Sequence, residues 1–290
     1  MSTTAVDPTA ADAEAPELRD VHGPSALGGG WRRLLDLMWL LSVTEFKRTY
    51  FGTALGYLWT IGRPLAQFAV LLTVFTHVFE LGDAVRNYPV LLLFNFVLFG
   101  FFTEATTTAV TSIVGQEGIV RKTQFPRLVI PLSVVLTALF NLALNGVVVL
   151  AFMLGFGIFP TLTWLLMPLV LVGMFVFTTA VAMIVASLYP RFRDISIVWG
   201  VVSMALFYAT PVLYPLESAP ESLRSVILVN PISSLLQLAR EWTIDPGAPS
   251  LVDLAGGWGA LVPAAVVYVG VCAFAVWIFN REAPRIAEQL

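Results

Sequence analysis

From Pro131 to Tyr189 the chain carries no Asp, Glu, Lys or Arg, and from Tyr88 to Gly115 it carries one, Glu104. A soluble fold cannot cover its surface with such stretches without exposing large adhesive patches. The deficit extends to the whole chain: of 290 residues 58% are apolar and 12% charged, where soluble domains have about 45–50% and 25%. The chain reads as an integral membrane protein.

A crossing helix needs about 20 mostly apolar residues at 1.5 Å each. Six segments qualify, approximately 55–79, 88–114, 131–156, 162–189, 195–215 and 258–280. Basic residues orient them, because cytoplasmic loops retain Lys and Arg. Arg19, Arg32, Arg33, Lys47, Arg48, Arg121, Lys122, Arg127, Arg191, Arg193, Arg281 and Arg285 fall on one side; Arg86, Arg224 and Arg240 fall on the other. Twelve against three puts both termini in the cytoplasm.

The remaining segments do not cross. Residues 1–30, rich in Ala, Thr, Asp, Glu and Pro, read as a disordered cytoplasmic tail without the apolar core of a signal peptide. Residues 31–51 alternate Trp31, Leu34, Leu35, Met38 and Trp39 with Arg32, Arg33, Asp36, Lys47 and Arg48, the spacing of an amphipathic helix lying at a membrane surface. The membrane-embedded remainder, 52–290, contains two further non-spanning pieces. One is a charged cytoplasmic helix at about 116–127, ended by Phe125-Pro126. The other is the long outer segment 215–257. There, Ser218-Ala219-Pro220-Glu221 has the form of a capping box, and Leu223, Val226 and Ile227 form an apolar stripe. Asn230-Pro231 opens a second short helix leading to Arg240, so a pair of re-entrant or interfacial helices is expected over 218–242.

Several chemistries are excluded or disfavoured. A net charge of −3 gives no support to a nucleic-acid partner. A single cysteine, Cys272, excludes internal disulfides, and with only His22 and His77 no metal cluster is expected. The nucleotide-binding loop needs Gly-Lys, and neither Lys47 nor Lys122 follows glycine. This chain is therefore expected to bind no cofactor; if ATP is used, another chain holds it. A lipid-phosphate or glycosyl transferase would need converging carboxylates or histidines. The spans offer Glu104, Arg63 and His77, and Asp194 sits beside Arg191 and Arg193, where a local salt bridge is the simpler reading.

Ionisable groups inside a span are costly and face a cavity or a partner. Arg63 and Glu104 are either part of a polar conduit or a helix-fastening pair, or Arg63 snorkels to the headgroups. Tyr57, Trp59, Tyr208 and Tyr214 combine a flat face with a polar tip, a surface over which a sugar can slide, although packing or lipid contact is the commoner role of each such residue.

Taken in order, the segments resemble the membrane permease of type-2 ABC exporters, in the branch that exports polysaccharides such as O-antigen, teichoic acid and galactan. The resemblance rests on 45–59 (EFKRTYFGTALGYLW), Phe101-Phe102-Thr103-Glu104, Lys122-Thr123-Gln124-Phe125-Pro126-Arg127 with Pro131, Arg193-Asp194, Thr210-Pro211-Val212-Leu213-Tyr214-Pro215, Asn230-Pro231 and Arg240. It covers about 31–280; Arg63 departs from it, standing where a neutral polar residue is expected. It implies a homodimer enclosing a channel for a lipid-linked polysaccharide, driven by two separate ATPase subunits that carry ATP and Mg2+. Glu117, Ile119, Arg121, Lys122, Phe125 and Arg127, with Arg32 and Arg33, would contact the ATPase. Tyr57, Trp59, Arg63, Glu104, Tyr208 and Tyr214 would line the path, and Ser218, Glu221, Asn230, Pro231 and Arg240 would belong to the outer gate. The location implied is the plasma (inner) membrane. Export of a drug or small lipid on the same frame and an embedded transferase remain alternatives.

Overall fold

The computed structural model describes residues 30–50, 56, 58–78, 85–118 and 125–282, the side chains of 49 and 50 excepted. It is helical, with no strand among the described residues. Helices α1 (Gly30–Tyr50), α2 (Leu58–His77), α3 (Tyr88–Gly115), α4 (Val129–Gly155), α5 (Met167–Leu188) and α6 (Ile195–Ala209) come first. The short α7 (Glu221–Val229), α8 (Pro231–Thr243) and α9 (Leu251–Ala255) precede the final α10 (Val262–Glu282). Among the described residues five stretches are long and apolar enough to cross a membrane: Leu58–His77, Tyr88–Gly115, Val129–Gly155, Leu162–Leu188 and Trp258–Glu282. The pair α7 and α8, bent by 105°, is a broken span or a re-entrant loop and brings the number to six at most.

The expected crossing at 195–215 is where the structure differs. Its helix ends at Ala209 after 15 residues, about 22 Å at 1.5 Å per residue. Hydropathy continues through 215, but Pro211 has no N–H to offer and pushes the preceding residue out of the helical region. Thr210 accordingly sits at φ −89°, ψ 143°. The carbonyls beyond the break are taken up by side chains of α3: Tyr88 Oη donates to Leu213 O (2.7 Å) and Asn95 Nδ2 to Pro211 O (3.1 Å).

Prolines also shape the other helices. Pro89 and Pro168 lie in the first turns of α3 and α5, where no N–H is missed. Pro64 lies inside α2 and frees the carbonyl four residues back, that of Thr60. Asn145 of α4 donates its Nδ2 to that oxygen at 3.3 Å, so the kink site keeps a partner.

Helix α3 is the core element. Tyr88, Leu92, Phe99, Phe102, Ala105, Ala109 and Ile113 are buried against α4, α5 and α6. Helix α4 presents Ser133, Thr137, Asn141 and Asn145, four polar residues at i, i+4 spacing. The first two meet α1, where buried Ser42 donates to Ser133 O (3.0 Å) and Thr137 Oγ1 donates to Ser42 O (3.3 Å). Small side chains thus let α1 lie directly on α4. Helix α10 packs on α5, with Tyr268 Oη donating to Gly173 O (2.9 Å).

At the outer segment, Asn230 caps α8 by accepting from Ile232 N at 3.1 Å, as expected from Asn230-Pro231. The expected capping box at Ser218 does not form. Ser218 ends a 3-10 turn, Leu216–Ser218, and the α7 N-cap is Pro220, with no side-chain cap. Pro220 has extended backbone there (φ −54°, ψ 142°), which starts the helix two residues later than Ser218 would. Leu223 and Val226 face outward, and the inward anchor of α7 is Leu228. Trp164 Nε1 and Thr163 Oγ1 donate to the terminal carbonyls of α8 at Thr243 (3.0 Å) and Trp242 (2.6 Å). The local salt bridge expected for Asp194 is absent among the described residues; the neighbouring Arg191 reaches buried Glu282 instead (3.9 Å).

A polar groove along α3

The residues of α3 classed as exposed from mid-helix to its end are Glu104, Thr107, Thr108, Thr111 and Gly115. Their spacing of 3, 4, 7 and 11 from Glu104 puts them on one face. The exposed positions in this half of the helix therefore form one strip, polar at Glu104, Thr107, Thr108 and Thr111. The strip floors two cavities that share Glu104, Thr108 and Asn141. The first, about 620 Å³, is walled by Trp59, Thr60, Arg63, Pro64 and Gln67 of α2, Asn145 of α4 and Phe207 of α6. The second, about 520 Å³, continues toward the end of α3 between Glu45 and Arg48 of α1 and Ser133 and Thr137 of α4. Together they form one groove bounded by α1, α2, α3 and α4.

Glu104 stands at the junction. One carboxylate oxygen, Oε1, accepts from Asn141 Nδ2. Arg63 lines the same cavity without ion-pair contact to Glu104, so the helix-fastening pair does not form. At the far end, Glu45 Oε1 accepts from Gln116 Nε2 (3.2 Å) and lies 3.7 Å from Arg48 Nη1. Among the described residues no three His, Cys, Asp or Glu side chains gather as a metal site. Asp194 lines neither cavity, so the two carboxylates that a transferase would unite stay apart.

Of the six path residues expected from sequence, Trp59, Arg63 and Glu104 meet in the first cavity. Tyr57 lies outside the described residues. Tyr208 points away on exposed α6, edge-on to Phe207 at 5.3 Å, and it is Phe207 that enters the lining. Tyr214 packs against the core beyond the α6 break and lines neither cavity. Asn141, Asn145, Thr60, Gln67 and the threonine strip were not anticipated. The i, i+4 repeat on α4 and the strip on α3 were the visible signal.

Arg32 and Arg33 are exposed in the first turn of α1. Ile119, Arg121 and Lys122, the centre of the expected helix at 116–127, lie outside the described residues. Glu117 follows α3; Phe125 is irregular and Arg127 sits in the turn that opens α4. At the outer end, Ser218 and Glu221 are exposed, while Pro231 and Arg240 are buried at the start and near the end of α8. Arg240 holds Glu217, a residue the sequence reading passed over.

The family described as ABC-2 type transporter matches residues 36–242, which include every wall of the groove. The O-antigen export system permease protein RfbA of Klebsiella pneumoniae is 31% identical over 209 residues, covering 72% of this chain and 80% of that protein. RfbA of Myxococcus xanthus is 32% identical over 66% of this chain and 74% of that protein. The polysialic acid transport protein KpsM of Escherichia coli is 25% identical over 69% and 78%.

Proposed function

The chain belongs to the ABC-2 type transporter family, and from that premise we propose that it is the membrane subunit of an ATP-driven polysaccharide exporter. Its cargo is a lipid-linked glycan of the O-antigen, galactan or teichoic acid type, carried from the cytoplasm across the plasma (inner) membrane. The observation that carries this reading is the groove: a polar path built where largely apolar helices meet. A channel needs such a lining because each polar group of the cargo must replace its water contacts. The relatives named for O-antigen export and polysialic acid transport support the cargo class.

In this reading two copies face each other so that their grooves close into one conduit. Both termini are cytoplasmic, and the segment 116–127 with Arg32 and Arg33 rests on separate ATPase subunits that bind ATP and Mg2+. Displacement of α1 passes to α4 through the Ser42 contact, and from α4 to the groove through Asn141 and Asn145. The bent pair α7 and α8, with Ser218, Glu221, Asn230, Pro231 and Arg240, borders the outer mouth.

The test is depletion of the protein in its own cell, with surface glycan and intracellular lipid-linked glycan measured together. The reading expects the first to fall and the second to accumulate. Unchanged surface glycan, with no ATPase co-purifying with the tagged protein, overturns it. Charge reversal at Arg121 or Lys122 is expected to leave the protein inserted while ATP hydrolysis no longer drives export.

A further inference from the structure

The groove contains four formally charged residues among those described, Glu45, Arg48, Arg63 and Glu104, two of each sign. The rest of its polar lining consists of neutral hydrogen-bonding groups, chiefly Thr, Asn and Gln. The arrangement is also segregated. Glu45 and Arg48 form a close pair at one end, whereas Glu104 and Arg63 face the same central cavity without touching. Glu104 stands where the two cavities meet, so every unit of a cargo threading the groove passes its carboxylate.

Cargo charge and cargo hydroxyls fare differently in such a place. A hydroxyl taken from water carries a modest penalty that hydrogen bonds cancel, and threonine and amide side chains can meet it as donors and acceptors. A carboxylate or phosphate taken from water incurs a far larger penalty, offset only by a well-placed opposite charge with further hydrogen bonds. The described lining has no excess of positive charge, and Glu104 adds repulsion where the two cavities meet. We propose that Glu104 and Arg63 determine specificity as a charge-balanced filter, admitting an uncharged, hydroxyl-rich polymer and rejecting an anionic one. Arg63 offsets the field of Glu104, so the groove retains neither cations nor anions. The inference rests on the export reading above and narrows its substrate class.

The experiment uses the complete exporter, this chain with its ATPase, in inverted membrane vesicles supplied with ATP. Two lipid-linked probes of equal length are compared, one built of neutral hexoses and one with a hexuronate at every second position. The wild type is expected to move the neutral probe at least about tenfold faster, a difference of about 1.4 kcal/mol. Glu104→Gln is expected to narrow that ratio and Arg63→Gln to widen it. Gln67→Lys, at an exposed lining position that leaves both charges in place, is expected to raise transport of the anionic probe. Equal wild-type rates for the two probes overturn the filter and leave export standing. So does a Glu104→Gln exporter that moves the neutral probe with an unchanged ratio. Failure of the wild type to move either probe while hydrolysing ATP overturns the export reading together with the filter.

Discussion

Arg240, buried on α8, grips Glu217 through two parallel hydrogen bonds, Nη1 to Oε2 and Nη2 to Oε1, both 2.7 Å. Arg224 of α7 closes the same cluster by donating to the Glu217 and Ala219 carbonyls (2.6 and 2.9 Å). The bent pair α7 and α8 is thus fastened to the turn before it. Glu217→Ala leaves a cation that is 5% exposed without its partner, a change that costs about 3–5 kcal/mol. Thermal unfolding in detergent should show a large fall for Glu217→Ala and a much smaller one for Glu217→Leu with Arg240→Met, where both charges leave together. Equal losses in the two proteins would mean that the pair does not fasten this segment.

The same pair sets an acid limit. Burial alone would raise the Glu217 carboxyl, but hydrogen bonds from Arg240 and its own backbone, with the charges of Arg240 and Arg224, hold it below the usual 4.5. A group whose folded value is depressed stabilises the fold above its unfolded value and loses that contribution as pH falls through the folded one. Stability should therefore be independent of Glu217 ionisation at neutral pH and decline below about 4.5. Glu217→Gln should start lower and decline less; a steeper decline in the variant would contradict the assignment.

Asn230 serves two helices at once. Its Oδ1 caps α8 and its Nδ2 donates to Thr210 Oγ1 at 2.8 Å, tying the cap to the break after α6. Asn230→Ala should cost about 0.5–2 kcal/mol for the cap, and Asn230→Asp, which keeps only the acceptor, should recover part of it. Unfolding midpoints of the two variants decide; an alanine variant as stable as wild type would remove the cap from the account.

Asn145 and Pro64 form a compensating pair across two helices. Asn145→Leu strands the Thr60 carbonyl that Pro64 has freed, at about 1–3 kcal/mol. Pro64→Ala in the same protein supplies an N–H four residues on and should restore most of the loss. If the double variant is no more stable than Asn145→Leu alone, the amide does not serve the kink.

Ser42 has no exposed surface where α1 crosses α4. Ser42→Leu overfills that crossing at about 1–3 kcal/mol and should open residues 30–48 to protease while the remaining helices stay protected. Unchanged protection would show that α1 docks by another route.

The positions of the long helices were legible because their apolar runs are unambiguous, and α3 and α5 also carry proline in their first turns. Glu104 and Arg63 were legible for the opposite reason, as ions where the surroundings are hydrocarbon. The groove itself was not. Threonine and asparagine are ordinary in apolar helices, and they acquire meaning only when α1, α2 and α4 place them around one strip of α3. The end of α6 was hidden because hydropathy runs on through Val212 and Leu213 while the backbone stops at Pro211. Ser218 misled because a capping pattern counts residues and does not see that Pro220 already supplies the extended backbone the helix starts from. The pairing of Arg240 with Glu217 needed the 105° bend that brings them together.

Tyr88 and Asn95 reach from α3 to the Leu213 and Pro211 carbonyls, more than a hundred residues further along the chain. Non-helical backbone within a membrane protein is tolerated only where protein groups or water stand in for the missing ladder. The two stretches are therefore a single unit of inheritance, although no short motif contains both. A hybrid that takes its 210–215 segment from a relative and its α3 from this chain would inherit a broken helix without the splint that fits it, and exchange between such proteins has to move the two together.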